Sequence, residues 1–139
     1  MSYNLFLDDV RNPIDLYKLS QQKNEVYNED WVVVRSFNEF KECIMNRGIP
    51  KKISFDHDLA DEHYVQGAKS NFQQFDYNEV IEKTGLDCLK WLIEYTNDNK
   101  IDLSLVNEFL VHSFNVVGRK NILNLLKDIF ITNDYKNNV

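Results

Sequence analysis

The chain is short of cysteine, of long apolar runs and of positive charge, and each shortage closes off a class of function. Its 139 residues include only two cysteines, Cys43 and Cys88. Both fall in apolar-periodic stretches without paired metal spacing, so they are expected as reduced core residues, which suits a cytoplasm. No apolar run approaches the roughly 20 residues of a membrane span, and no basic region with an apolar core precedes Tyr3-Asn4-Leu5-Phe6-Leu7. A soluble, unprocessed protein with no membrane partner is expected. The formal charge of -6 argues against a broad footprint on duplex nucleic acid, while leaving room for a local basic site for one nucleotide. No internal repeat or low-complexity block interrupts the chain.

The residues that are present suffice for one compact domain over 1–139: 43% are hydrophobic and 13% aromatic, enough to build a core. "YNLFLDD" reads as a short buried strand closed by Asp8 and Asp9. In "RNPIDLYKLSQQ", Pro13 opens a helix with Ile14, Leu16, Tyr17 and Leu19 on a rough face. "WVVVRS", residues 31–36, is a β-branched run expected as a strand covered on both faces. Ser36 then caps a helix carrying Phe37, Phe40, Cys43 and Ile44, which Gly48 ends. "IPKKISFDHDL" supplies a third strand. The polar stretch 60–77, with Tyr64, Phe72, Phe75 and Tyr77, is expected as a mobile loop with a functional part. A long helix is expected over about 78–97, bent or broken near Thr84-Gly85. "VNEFLVHS" is a fourth strand, "NVVGRKNILNLLKDIF" a last helix, and Thr132 to Val139 a frayed tail.

Strands separated by helices imply right-handed crossovers and a doubly wound α/β fold, with about four parallel strands in the order 2-1-3-4 and helices on both faces. In such a sheet the ligand site lies outside the carboxyl ends of the strands. Those ends deliver Asp8 and Asp9, then Asp56, His57 and Asp58, then His112 and Ser113. Carboxylates crowded on one rim repel one another, and a divalent cation removes the penalty. Oxygen-rich ligands point to magnesium or manganese, and the imidazoles would also admit zinc or iron. Each residue also has an ordinary explanation, as a helix cap, a solvated carboxylate or a hydrogen-bonded histidine.

After the fourth strand, "HSFNVVGRKNI" places Asn115 as the expected N-cap, then Gly118, Arg119 and Lys120 near the first turn of a helix, where an anion is favoured. Arg119 and Lys120 are equally readable as solvated side chains. Arg11 can brace the acidic pair, contact a phosphate or simply face water. Asp87 is better explained as a local cap or a bond to Thr84 than as a catalytic group.

Together "LFLDDVRNP", "VRSFNEF", "ISFDHDL", "TGLDCLKWL" and "HSFNVVGRKNI" resemble the cyclic-phosphate-processing receiver-like family of bacteria and phages. The resemblance implies a receiver-like, flavodoxin-like domain whose acidic pocket handles cyclic phosphates, in the cytoplasm of a bacterium or phage-infected cell. By motif, Asp8 and Asp9 match the acidic pair, Asp56 the phosphate-accepting position of ordinary receivers, and Ser113 the hydroxyl after strand 4. The lysine after a fifth strand, which signalling receivers need, is missing from "IFITNDY". His57, Asp58 and His112 are additional to the signalling pattern, and Val116 stands where the family pattern has proline.

The expected function is metal-assisted phosphoesterase action on a cyclic phosphate of an RNA end or a nucleotide. Asp8, Asp9, Asp56 and Asp58 are candidate cation ligands. Asp56, His57, His112 and Ser113 are the candidate catalytic groups, and Arg11, Asn115, Gly118, Arg119 and Lys120 the candidate phosphate contacts. Aromatic residues of the 60–77 loop are candidate base-stacking groups. The alternatives are a module that sequesters a phosphorylated nucleotide without cleaving it, and phosphotransfer through Asp56, which the missing lysine disfavours.

Overall fold

The computed structural model describes residues 2–59 and 83–132. The expected loop 60–77, residues 78–82 of the expected long helix and the tail from residue 133 lie outside the described residues. Four strands, β1 (Asn4–Leu7), β2 (Val32–Val34), β3 (Lys52–Phe55) and β4 (Glu108–Val111), form one all-parallel sheet in the order β2-β1-β3-β4. Among the described residues the helices are α1 (Pro13–Leu19), α2 (Phe37–Arg47), α3 (Gly85–Asp98) and α4 (Val116–Thr132). Single 3-10 turns sit at Glu25–Asn28 and Leu103–Leu105. This is the receiver-like α/β fold, with the strand order read from the sequence.

Strand alternation divides the interior in two. Leu5, Leu7, Ile53 and Phe55 face one way, into a core completed by Phe40 and Ile44 of α2, Leu89 and Leu92 of α3, and Ile122 and Leu126 of α4. Phe6 faces the other way, against Leu16 of α1 and Tyr27 of the first 3-10 turn. Edge strand β2 serves both sides: Val32 and Val34 pack in the first core and Val33 in the second. A fully buried Leu, Ile or Phe stabilises by about 1.5–3 kcal/mol, so these short strands are held mainly by their side chains.

The ends of the elements differ from the sequence expectation where local polar bonds decide the boundary. Helix α1 stops at Leu19, short of Gln22, because Gln21 and Gln22 take positive φ angles of 60° and 63°. Ser20 Oγ donates to the Tyr17 carbonyl and accepts from the Asn24 amide, which fixes that turn. Strand β2 ends at Val34; Ser36 caps α2 by accepting from the Glu39 amide, and Glu39 accepts in return from the Arg35 amide. Helix α3 begins at Gly85, at the Thr84-Gly85 break expected from the sequence, because Thr84 and Asp87 form a reciprocal capping box.

Candidate active site at the carboxyl edge

The site follows from strand register. Leu7 pairs with Val34 and Phe55, and Phe55 with Val111, so the next residues on β1, β3 and β4 fall in one row. The ladder runs one step past the strands: the amides of Asp8, Asp56 and His112 donate to the carbonyls of Val34, Leu7 and Phe55. Alternation then aims all three side chains to the Phe6 side. Asp8, Asp56 and His112 are buried, and each offers a ligand atom within 4.8 Å of the others. Three residues far apart in sequence thereby form a compact oxygen, oxygen and nitrogen donor set.

The surroundings shift the two carboxylates in opposite directions. Burial alone would raise Asp8, yet the His112 hydrogen bond and the amides of Arg11 and Val10 keep it down at about 2. The bonds are His112 Nε2 to Asp8 Oδ2 at 3.1 Å, and the Arg11 and Val10 amides to Oδ1 at 2.8 and 2.9 Å. Asp56 is pushed up to about 6, by burial first and then by the charges of Asp8, Asp9 and Asp58. Its Oδ1 accepts from the His57 amide, and among the described residues Oδ2 accepts no hydrogen bond. Burial lowers the His112 pKa, outweighing the pull of Asp8. A divalent cation is the species that would relieve Asp56, and this donor set fits one.

Both ring nitrogens of His112 are committed. Opposite the Asp8 bond, Nδ1 lies 2.6 Å from Ser54 Oγ, which is 2.8 Å from the Tyr27 hydroxyl. The ring also stacks on Phe6, with centroids 4.4 Å apart and planes 5° from parallel. His57 is held more lightly. Its Nδ1 lies 2.9 Å from Asp58 Oδ1, and Asn115 Nδ2 donates to the same carboxylate at 3.1 Å. The imidazole rests on Gly118, where an added Cβ would come within 2.2 Å of the ring.

The other expected residues are distributed around this group. Asp9, half-buried, lies outside the three-residue set, but its charge reaches Asp56. Asp58 also lies outside it, exposed and engaged by His57 and Asn115. Arg11 braces Asp8 at 3.8 Å and covers the Phe114 ring at 4.3 Å. Asn115 caps α4, its Oδ1 accepting from the Gly118 amide at 2.9 Å. The Gly118 amide is therefore occupied, and among the described residues the amides of Val116 and Val117 have no acceptor. Ser113 Oγ is buried and accepts from the Asn115 amide, which leaves its O–H to donate. Lys120 is exposed on α4; Arg119, also exposed, borders a cavity of about 290 Å³ shared with Leu16, Leu19, Tyr27, His112 and Phe114.

Four residues support the site although the sequence reading gave them no part in it. Tyr27 and Ser54 complete the His112 chain. Arg35 donates to the carbonyls of Asp8 and Arg11 and to Asn12 Oδ1, at 3.2, 2.6 and 2.6 Å, clamping the loop that carries Asp8. Gly85 lets α3 abut the end of β3: its amide donates to the His57 carbonyl, and a Cβ there would lie 1.8 Å from the Asp56 carbonyl oxygen. The legible hints were the odd period of Ser54 within an apolar strand and the placement of Arg35 and Gly85 inside the segments that carry the family resemblance.

No helix among the described residues is long and apolar enough to cross a membrane. No curated protein and no solved structure matches the chain. The family described as cyclic-phosphate processing receiver domain matches it over residues 3–128, a span that contains every strand, the acidic row and the start of α4. The chain belongs to the cyclic-phosphate processing receiver domain family.

Proposed function

We propose that the chain hydrolyses cyclic phosphates, at an RNA end or on a nucleotide, at a divalent cation held by Asp8, Asp56 and His112. The observation that carries this reading is the convergence of two buried carboxylates and one imidazole within 4.8 Å at the carboxyl edge of the sheet. When bound, the cation supplies positive charge to the phosphoryl oxygens and acidity to a water molecule. Magnesium and manganese both suit the carboxylates, and the imidazole favours manganese of the two. Asp9 adds negative charge beside the site, and Asp58 acts through His57.

His57 is the better acid-base group of the two histidines, because Asp58 fixes its Nδ1 side while Nε2 accepts no partner among the described residues. In the reaction the water oxygen bonds to phosphorus and one ring P–O bond breaks. His57 takes the water proton and returns it to the departing ribose oxygen. The Ser113 hydroxyl, the amides of Val116 and Val117 and the Arg119 guanidinium receive the phosphate oxygens. Lys120 and Arg11 contribute charge from either side.

Incubation with 2′,3′-cyclic mononucleotides and a metal panel tests this. Metal-dependent release of a monophosphate, abolished in Asp56→Asn with the fold intact, is expected; undiminished metal-dependent turnover by that variant contradicts the assignment. A second reading, a sequestering module, is favoured by the fact that three of the four ring nitrogens of His57 and His112 are already hydrogen-bonded. Recovery of intact ligand at stoichiometric binding would select it.

A further inference from the structure

We infer that Ser54 and Tyr27 are positioning residues that set the tautomer of His112, and that a cation at the acid pair reverses the direction of the hydrogen-bond chain they form. The inference rests on the cation site proposed above. Its physical basis is the run of contacts Tyr27 Oη to Ser54 Oγ, Ser54 Oγ to His112 Nδ1 and His112 Nε2 to Asp8 Oδ2, at 2.8, 2.6 and 3.1 Å. Tyr27, Ser54, His112 and Asp8 are all buried, so water does not compete along the chain.

Donor and acceptor arithmetic fixes the direction without metal. An ionised Asp8 only accepts, so His112 must present Nε2–H to it. A neutral imidazole then has a lone pair on Nδ1, which requires Ser54 to donate, and Ser54 Oγ in turn accepts from Tyr27. Every group is satisfied. A cation demands the opposite, because a nitrogen ligand must offer a lone pair. Nε2 then gives up its proton to water at the rim, while Nδ1 takes the Ser54 proton, Ser54 takes the Tyr27 proton and Tyr27 takes one from water in the cavity it lines. The imidazole stays neutral, and each hydroxyl ends with a single proton and the opposite direction: Nδ1–H donates to Ser54, Ser54 donates to Tyr27, and the Tyr27 O–H seeks an acceptor in the cavity.

A ring flip is a poor substitute for this exchange. It would break both His112 bonds and drag the imidazole across the Phe6 face on which it stacks. The chain thus couples the cation to the cavity wall through hydroxyl orientation alone, with no displacement of the backbone.

Nitrogen-15 NMR of histidine-labelled protein reads the tautomer directly. In the metal-free chain His112 should show a protonated Nε2 and an unprotonated Nδ1. Saturating Mg²⁺ and, separately, Zn²⁺ should exchange them. Metal binding at the acid pair with an unchanged tautomer overturns this inference and leaves the cation site standing; no binding there overturns both. Ser54→Ala should lower metal affinity by about 10-fold or more and give a mixture of tautomers without metal, and Ser54→Thr should restore both. Should Ser54→Ala fail to fold, Tyr27→Phe, with a smaller loss of affinity, serves as the second variant. Wild-type affinity with a single tautomer in the folded variant refutes the positioning role.

Discussion

On one face of the sheet Leu5, Leu7, Ile53 and Phe55 meet α2, α3 and α4 in an apolar core, whereas on the other Phe6 and Tyr27 share the interior with Ser54, Asp8, Asp56 and His112. The strands are the same and the register is the same; only the alternate residues differ. The apolar face gains free energy from every buried atom. The second face must satisfy each buried polar group before it gains anything, and it does so incompletely at Asp56, where burial and like charge stay uncompensated. The apolar core and the proposed site thus lie on opposite sides of one sheet.

That division is open to attack, first on the apolar side. Phe55 is fully buried, with Phe40 and Phe109 around it at ring-centroid distances of 5.8 and 6.3 Å. Phe55→Ala should cost about 3–5 kcal/mol in urea unfolding, the largest effect expected. A loss below 1 kcal/mol would show that the apolar face is not where the stability lies.

The next effect has the opposite sign. Asp56 has a folded pKa raised to about 6 from 3.8, so the protonated form is the one the fold prefers. Its contribution is fully present below about pH 4 and is lost as pH rises through 6. Asp8, lowered to about 2, contributes fully above pH 4 and loses that contribution as pH falls through 2. Asp56 should therefore add stability to the metal-free protein on going from pH 7 to pH 4, opposed by His112, whose lowered pKa withdraws stability over the same window; below pH 4 the Asp8 contribution is lost. Asp56→Asn should remove the gain and stabilise the metal-free chain at pH 7 by up to about 3 kcal/mol, while abolishing turnover. Chemical unfolding across pH checks both, and destabilisation at pH 7 would contradict the account of Asp56.

A smaller effect is expected at Gly118. Alanine is the better helix former by about 1 kcal/mol, but its Cβ would meet the His57 ring at 2.2 Å. The imidazole can swing away, so Gly118→Ala should change stability by no more than about 1 kcal/mol while turnover falls and metal affinity holds. Unchanged turnover would remove His57 from the reaction.

Most of the architecture was legible because it depends on periodicity. Apolar runs of strand length marked the four strands, and the crossover and carboxyl-edge rules of α/β sheets gave their order and the edge at which Asp8, Asp56 and His112 meet. What escaped depends on the third dimension. Ser54 looks like a neutral break in an apolar strand until register sets it beside His112, and Tyr27 lies between the first helix and the second strand, outside every element read from the sequence. The capping of α4 by Asn115 was legible, yet its consequence, that the Gly118 amide is occupied, was not. Among the acids of the rim, sequence alone could not separate Asp56, which points inward, from Asp58, which turns outward to His57.

Asp8, Asp56 and His112 are proposed as the ligands of a single cation, and anomalous scattering from a manganese-soaked crystal would show where that cation sits. One strong peak is expected, bonded to an oxygen of Asp8, an oxygen of Asp56 and Nε2 of His112; a peak elsewhere on the rim, or none at saturating manganese, would refute this ligand set.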